Sequence, residues 1–194
     1  MNDTLNYQIA DYKSRLKTLL VNDENIIRII SPELVGDFDI DTILTGGEFL
    51  VDGERVLLQG YVLDFYFIPD TTLEDKLFIC FEIETPRIEK GFLADFTLNV
   101  FVFTLKTNVI LSEFTDPKKS DMLKLGFIGN RIDICCDIIE EKFKGLTEFG
   151  LGQILPTTTN FITTTAPTNN YYGKRMSFNV KSYSPRKRGD DCGN

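Results

Sequence analysis

The stretch from Lys76 to Leu105, KLFICFEIETPRIEKGFLADFTLNVFVFTL, constrains the fold more than any other part of this chain. It holds two apolar strand candidates, Leu77 to Glu84 and Leu93 to Leu105, joined through Thr85-Pro86 and a charged link. In the second candidate Phe96, Leu98, Val100 and Val102 alternate with Thr97, Asn99, Phe101 and Phe103, and a period of two is that of a strand. One face suits a core covered by helices. The other presents Phe101 and Phe103, which need a second layer or a neighbouring subunit to hide them. The expectation is a subunit that buries β surface against copies of itself, with a sandwich-like interior covering both faces as the alternative.

The flanking segments supply the rest of the architecture. Leu5, Ile9, Tyr12, Leu16, Leu19 and Leu20 recur at spacings of three and four and predict an amphipathic helix over residues 3–21 lying on the sheet. ENIIRII predicts a second, short helix that ends before Pro32, which biases Ser31 away from helical angles. Glu33 to Gly53 is irregular and acidic. Its Asp52-Gly53 pair suits a hairpin between EFLV and a long strand from Arg55 to Ile68, broken at Gly60 by a bulge. IPDTTLEDK reads as a polar turn, and a polar link spans Ser112 to Phe127. In GNRIDICCDIIEEKFKG, Ile132, Cys135, Cys136, Ile139 and Phe143 form an apolar stripe, with Arg131, Asp133, Asp137, Glu140 and Glu141 outside it and Gly145 as a C-cap. Leu151 to Ile162 predicts a strand running into the threonine-rich PTTTNFITTTAPTNN. A strand over Lys174 to Tyr183, with Met176, Phe178 and Val180 inward, returns antiparallel to it as a long hairpin. The predicted class is α+β: a mostly antiparallel sheet with the N-terminal helix and a helix at about 130–144 packed on it, plus the C-terminal hairpin. One domain is expected over residues 1–183, followed by a flexible basic tail over 184–194.

Composition narrows the function. Lys+Arg 21 against Asp+Glu 29 gives a net charge of −8, which disfavours generic nucleic-acid binding, since that affinity rests on basic contacts. Charge is unevenly placed: residues 23–95 hold 17 acidic and 5 basic side chains, a surplus of 12 negative, whereas residues 171–194 hold 6 basic and 2 acidic. A head-to-tail contact would set these unlike segments against each other. Cys80, Cys135, Cys136 and Cys192 form no CxxC pair or spaced ligand set, so they are expected as packing residues in a reducing cytosol, without disulfide or zinc. No basic, apolar leader opens the sequence and no apolar run approaches the roughly 18 residues of a membrane span, so no membrane partner is expected.

With no histidine in the chain, the usual neutral-pH base, the imidazole metal ligand and the Ser-His and Cys-His pairs are all missing. Phosphate-cradling GxGxxG and GxxxxGK[ST] loops are absent as well. One catalytic constellation remains. Pro69-Asp70 followed by Glu82-Ile83-Glu84 is similar to the metal-binding core of the PD-(D/E)xK nucleases, with Glu84 standing where that family has lysine. Carboxylates at i and i+2 share one strand face, so Asp70, Glu82 and Glu84 would hold Mg²⁺ and position water for phosphodiester attack. This metal-dependent nuclease is the alternative function; acidic strand residues facing solvent or a ring lumen are the commoner case.

Taken in order, FIPDTTLEDKLFICFEIE, FLADFTLNVFVFTL, GNRIDICCDIIEEKF, GQILP and YYGKRMSFNVKSY resemble the tail-terminator and neck (head-tail joining) proteins of tailed bacteriophages. The resemblance covers roughly residues 55–183, and the acidic Glu33 to Gly53 region and the threonine-rich hairpin depart from it. It implies a non-catalytic virion protein without cofactors, assembled in the host cytoplasm and sited in the neck or tail. There a homo-oligomeric ring of roughly six or twelve copies would join head and tail and contact portal, adaptor or tail-tube proteins. DNA would pass through the lumen without specific binding. Candidate subunit-interface residues are Phe101, Phe103, Thr157, Thr158, Thr159, Phe161, Thr163 and Arg175; candidate lumen-facing acids are Asp37, Asp39, Asp41, Glu48, Glu82 and Glu84.

Overall fold

A computed structural model describes residues 5–30, 42–44, 48–51, 54–57, 61–65, 77–89, 92–111, 129–144, 146, 151–162 and 171–181. Three α-helices are present among them, α1 (Leu5–Val21), α2 (Glu24–Ile30) and α3 (Arg131–Phe143), with a short 3-10 helix at Lys106–Asn108. The strands are β1 (Thr42–Leu44), β2 (Glu48–Val51), β3 (Glu54–Leu57), β4 (Val62–Leu63), β5 (Phe78–Glu89), β6 (Phe92–Leu105), β7 (Ile110–Leu111), β8 (Gly129–Asn130), β9 (Gln153–Ile162) and β10 (Tyr171–Lys181).

The central sheet has five strands in the order β4-β5-β6-β10-β9. All pairs are antiparallel except β4-β5, which is parallel, so the sheet is mixed. The class is α+β as expected. β9 and β10 form the predicted hairpin, with a register shift at Ser177/Phe178 opposite Pro156, a residue that cannot donate to the ladder. β1, β2 and β3 make a separate three-stranded meander in which Val51 pairs with Glu54 across the Asp52-Gly53 position. β7 and β8 form a two-stranded ladder.

Two expectations about strands are corrected. Arg55 to Ile68 is not one long strand: β3 and β4 belong to different sheets. β5 does not stop at Glu84 but runs through Thr85-Pro86 to Glu89, with register shifts between Glu84 and Ile88. A proline is tolerated there because the ladder is irregular and only β6 pairs that stretch among the described residues.

The main core lies between the sheet and the helices. Ile79 and Phe81 of β5, Leu98, Val100 and Val102 of β6, and Met176, Phe178 and Val180 of β10 are buried against Tyr12, Leu16 and Leu20 of α1 and Ile132, Cys135, Ile139 and Phe143 of α3. Two edge-to-face ring contacts pin the helices: Tyr12 on Phe96 at 4.7 Å and Phe143 on Phe178 at 5.3 Å. Gln8 shares the buried stripe of α1, while Leu5, Ile9 and Leu19 are only partly buried against the core.

Arg131 overturns its expected position outside the α3 stripe. It is fully buried; its Nε donates to the carbonyl of Ile29 at 2.8 Å and its Nη2 to that of Ile30 at 2.7 Å. These are carbonyls of the last turn of α2, which have no acceptor role within the helix. The guanidinium therefore joins the start of α3 to the end of α2. The neighbouring Asn130 caps α3, its Oδ1 accepting from the backbone N–H of Ile132 at 2.9 Å and of Asp133 at 3.4 Å. Gly129, at φ 103°, supplies the left-handed step into that cap. A Lys142–Asp23 ion pair at 2.5 Å ties the end of α3 to the α1–α2 junction.

Candidate functional site

The face of the central sheet turned away from the helices carries most of the residues that the sequence singled out. Register places Phe78, Phe103 and Gly173 in one cross-strand row, Cys80, Phe101 and Arg175 in the next, then Glu82, Asn99 and Ser177, and finally Glu84, Thr97 and Asn179. Because side chains alternate along each strand, all of these project to one side. The face thus grades from aromatic to polar.

At the aromatic end, Phe78, Cys80, Phe103, Leu105 and Tyr171 form a second buried cluster, with Tyr61, Leu63 and Phe101 partly buried against it. Phe78 and Phe103 stack at 5.4 Å, and Tyr171 meets Phe103 edge-on at 6.0 Å. Phe103 is 1 % exposed within the single chain. Its burial needs no second subunit, so it is not an available contact surface. Phe101 keeps partial exposure. Gly173 opposite Phe103 is what permits this packing, since a Cβ there would stand 2.7 Å from Phe103 Cβ and 2.8 Å from the Val102 carbonyl oxygen.

The polar end is more open. Glu84 and Asn179 are exposed, and Thr97, Ser177 and Arg175 are half-buried. Ser177 Oγ donates to Asn99 Oδ1 at 2.7 Å, while Asn99 itself is 1 % exposed. Glu82 takes an ion pair from Lys13 of α1 at 3.3 Å, so its charge is partly neutralised before any ligand arrives. Lys174, adjacent to Arg175, projects to the opposite face and ion-pairs with Asp133 of α3. Burial lowers the pKa of that ammonium, but the hydrogen bond and charge of Asp133 outweigh it and leave the group above its ordinary value.

The sequence candidates are therefore divided. Phe101, Phe103, Arg175, Glu82 and Glu84 share one sheet face, whereas Thr157, Thr158, Thr159 and Phe161 lie along the marginal strand β9, with Thr158 opposite Ser177. Glu48 begins β2 in the separate meander. Asp37, Asp39, Asp41, Thr163 and Asp70, along with the 184–194 tail and the 66–76 turn, lie outside the described residues. Glu82 and Glu84 do share a strand face as the nuclease pattern requires, but among the described residues no group of three or more His, Cys, Asp or Glu side chains is placed to hold a metal ion. No described helix is long and apolar enough to cross a membrane. Asn99 and Ser177 were legible as the polar members of two alternating strands; their hydrogen bond was not, because it depends on β6-β10 register.

Cys135 and Cys136 are buried in the helix-covered core, where burial raises both thiols, Cys136 to about 12. Cys80 is buried as well. Such thiols behave as small apolar groups rather than nucleophiles.

The fold and this graded face define a mixed-sheet α+β protein with helices on one side of the sheet. Its family follows from a comparison: the YomW family model matches residues 14–180, from the middle of α1 to the penultimate residue of β10, and the chain belongs to that phage-related family. No curated protein and no solved structure matches the chain.

Proposed function

We propose that this chain is a structural subunit of a phage virion, forming a ring in the neck or at the head-proximal end of the tail and joining head to tail around the DNA channel. The observation that carries this reading is the pair of central-sheet margins that have no further strand neighbour among the described residues. At one margin β9 has β10 as its described strand neighbour; at the other, β4 covers only Ile79 and Cys80, and β5 beyond Phe81 pairs with β6 alone among the described residues. Two such margins on one sheet suit a repeated head-to-tail contact, because an unpaired strand edge is a template for a neighbour and a heterologous contact that closes makes a ring. Membership of a phage-related family supports the virion setting.

In this reading the lumen is lined by acidic side chains and lets DNA slide rather than holding it, with Glu84 a stronger candidate than the Lys13-paired Glu82. Ring copies and the adjoining portal, adaptor or tail-tube rings are the partners. Negative-stain imaging and mass photometry of the purified full chain test the reading, with annular particles expected. A chain that stays monomeric at all concentrations and cleaves DNA with Mg²⁺, losing that activity in Glu82→Ala, would sink it.

A further inference from the structure

We propose that strand pairing closes the ring: the outer edge of β9 in one copy runs antiparallel to the edge of β5 over Glu82–Glu89 in the next, so that one sheet passes through every subunit. This rests on the ring reading above and names the two strands that meet. Among the described residues β9 pairs with β10 alone, and β4 covers β5 only at Ile79 and Cys80. The ten-residue β9, Gln153–Ile162, therefore faces a margin of similar length, the run of β5 from Glu82 to Glu89.

Strand direction sets the geometry. From β5 through β6 and β10 to β9 every pairing is antiparallel, so β9 runs opposite to β5. Rotation about a ring axis along the strands keeps all directions, and it brings β9 against the next copy's β5 as an antiparallel pair, the commoner and slightly more stable ladder. A parallel meeting would need the next copy inverted, which a ring of equivalent head-to-tail contacts does not allow.

Charge selects the partner. Gln153–Ile162 contains no charged residue, whereas Glu82–Glu89 holds Glu82, Glu84 and Glu89 against Arg87. Two β5 edges would set carboxylates beside carboxylates, which destabilises a pair. Pro86 and the register shifts around it add to that bar, since a proline and a bulge blunt an edge against indiscriminate pairing. One strand in from β9, β10 carries Arg175 and Lys181 besides the Asp133-paired Lys174, and no acid. The added β5 would lie two strand spacings from β10, about 9–10 Å, within the screening length of roughly 10 Å at 0.1 M salt. β9 is thus a neutral spacer between a basic strand of its own chain and an acidic strand of the next. A two-fold contact between two β9 edges would also avoid like charges, but it leaves both β5 edges unpaired and closes no ring.

The test uses the full chain with Cys192→Ser, since Cys80, Cys135 and Cys136 are buried. Copies carrying Glu82→Cys, Glu84→Cys or Glu89→Cys are mixed with copies carrying Gln153→Cys, Leu155→Cys or Asn160→Cys and treated with a short bismaleimide, circular dichroism verifying the fold. Mixed pairs should form, and the best-joined β9 position should fall as the β5 position rises, the order an antiparallel ladder imposes. In mass photometry Leu155→Glu should need roughly two- to fivefold higher concentration to assemble and Leu155→Lys less than the wild type, because the added charge meets an acidic strand. Rings that form without mixed pairs overturn the strand pairing and leave the ring reading standing. A rising order, or β9 variants that join only to one another, overturns the pairing in favour of parallel strands or the two-fold contact. The same holds if Leu155→Glu and Leu155→Lys shift assembly alike, since charge then does not select the partner. A wild type that never associates overturns both readings.

Discussion

Arg131 occupies the first turn of α3, where the helix dipole disfavours a cation, and it is held there because the terminal carbonyls of α2 receive its guanidinium. Arg131→Met should cost about 2–4 kcal/mol in urea denaturation, since it removes the guanidinium from the Ile29 carbonyl and leaves the Ile30 carbonyl with only the Leu77 N–H at 3.2 Å. Arg131→Lys should recover only part of that, because an ammonium lacks the planar fork that serves both. Gly173→Ala should cost about 1–3 kcal/mol by overpacking, as its Cβ would press on Phe103 and on the β6 backbone. Cys135 and Cys136 carry a pH dependence whose sign is fixed by burial. Their thiols titrate higher in the folded chain than the ordinary 9.0, Cys136 at about 12. The stability they confer is complete below about pH 9 and is lost as pH rises through the folded values, at roughly 1.4 kcal/mol per pH unit for each thiol. Melting temperatures of the wild type should therefore fall more steeply above pH 9 than those of Cys136→Ala.

Among the elements, α3 is the best specified. Its apolar stripe, the Asn130 side-chain cap and the left-handed Gly129 all agree, and local agreement of that kind is what makes an element fold reliably. Asn130→Ala should lower stability by about 1 kcal/mol, read as a shift in the denaturation midpoint at unchanged slope. The β9-β10 hairpin is specified more loosely, since Pro156 lies opposite a register shift. Thr157 to Ile162 belong to a strand that pairs with β10, so a deletion that tests whether the threonine-rich hairpin reaches an adjacent subunit of the proposed ring, without dismantling the sheet, should be confined to residues 163–170. That deletion is expected to abolish assembly in mass photometry while leaving the circular dichroism spectrum unchanged.

For the whole molecule, the decisive question is how two faces of one sheet are covered. Helices bury one face, and an aromatic cluster around Phe103 closes part of the other within the chain; in the proposed ring the polar rows and the sheet margins are what meet neighbours. In the proposed ring, contact between an acidic segment and a basic one is screened by salt, so assembly should weaken as ionic strength rises from about 0.05 to 0.5 M, with the particle mass distribution as the measure. An assembly that strengthens with salt would instead indicate an apolar contact.

Alternation in β6 and β10 and the stripe of α3 could be read in the chain because side-chain period follows directly from backbone geometry, and the α+β class followed from their order. The placing of β3 and β4 in two different sheets, the passage of β5 through Pro86, the inward turn of Arg131 and the placing of Asn99 beside Ser177 and diagonal to Arg175 could not. Each depends on which distant segment lies alongside, and periodicity holds no record of that: Arg131 looks exposed until the carbonyls of Ile29 and Ile30, about a hundred residues earlier, are brought against it. Local composition determined which segments form helices and strands; only tertiary register decided which polar groups were buried and which of those found a partner.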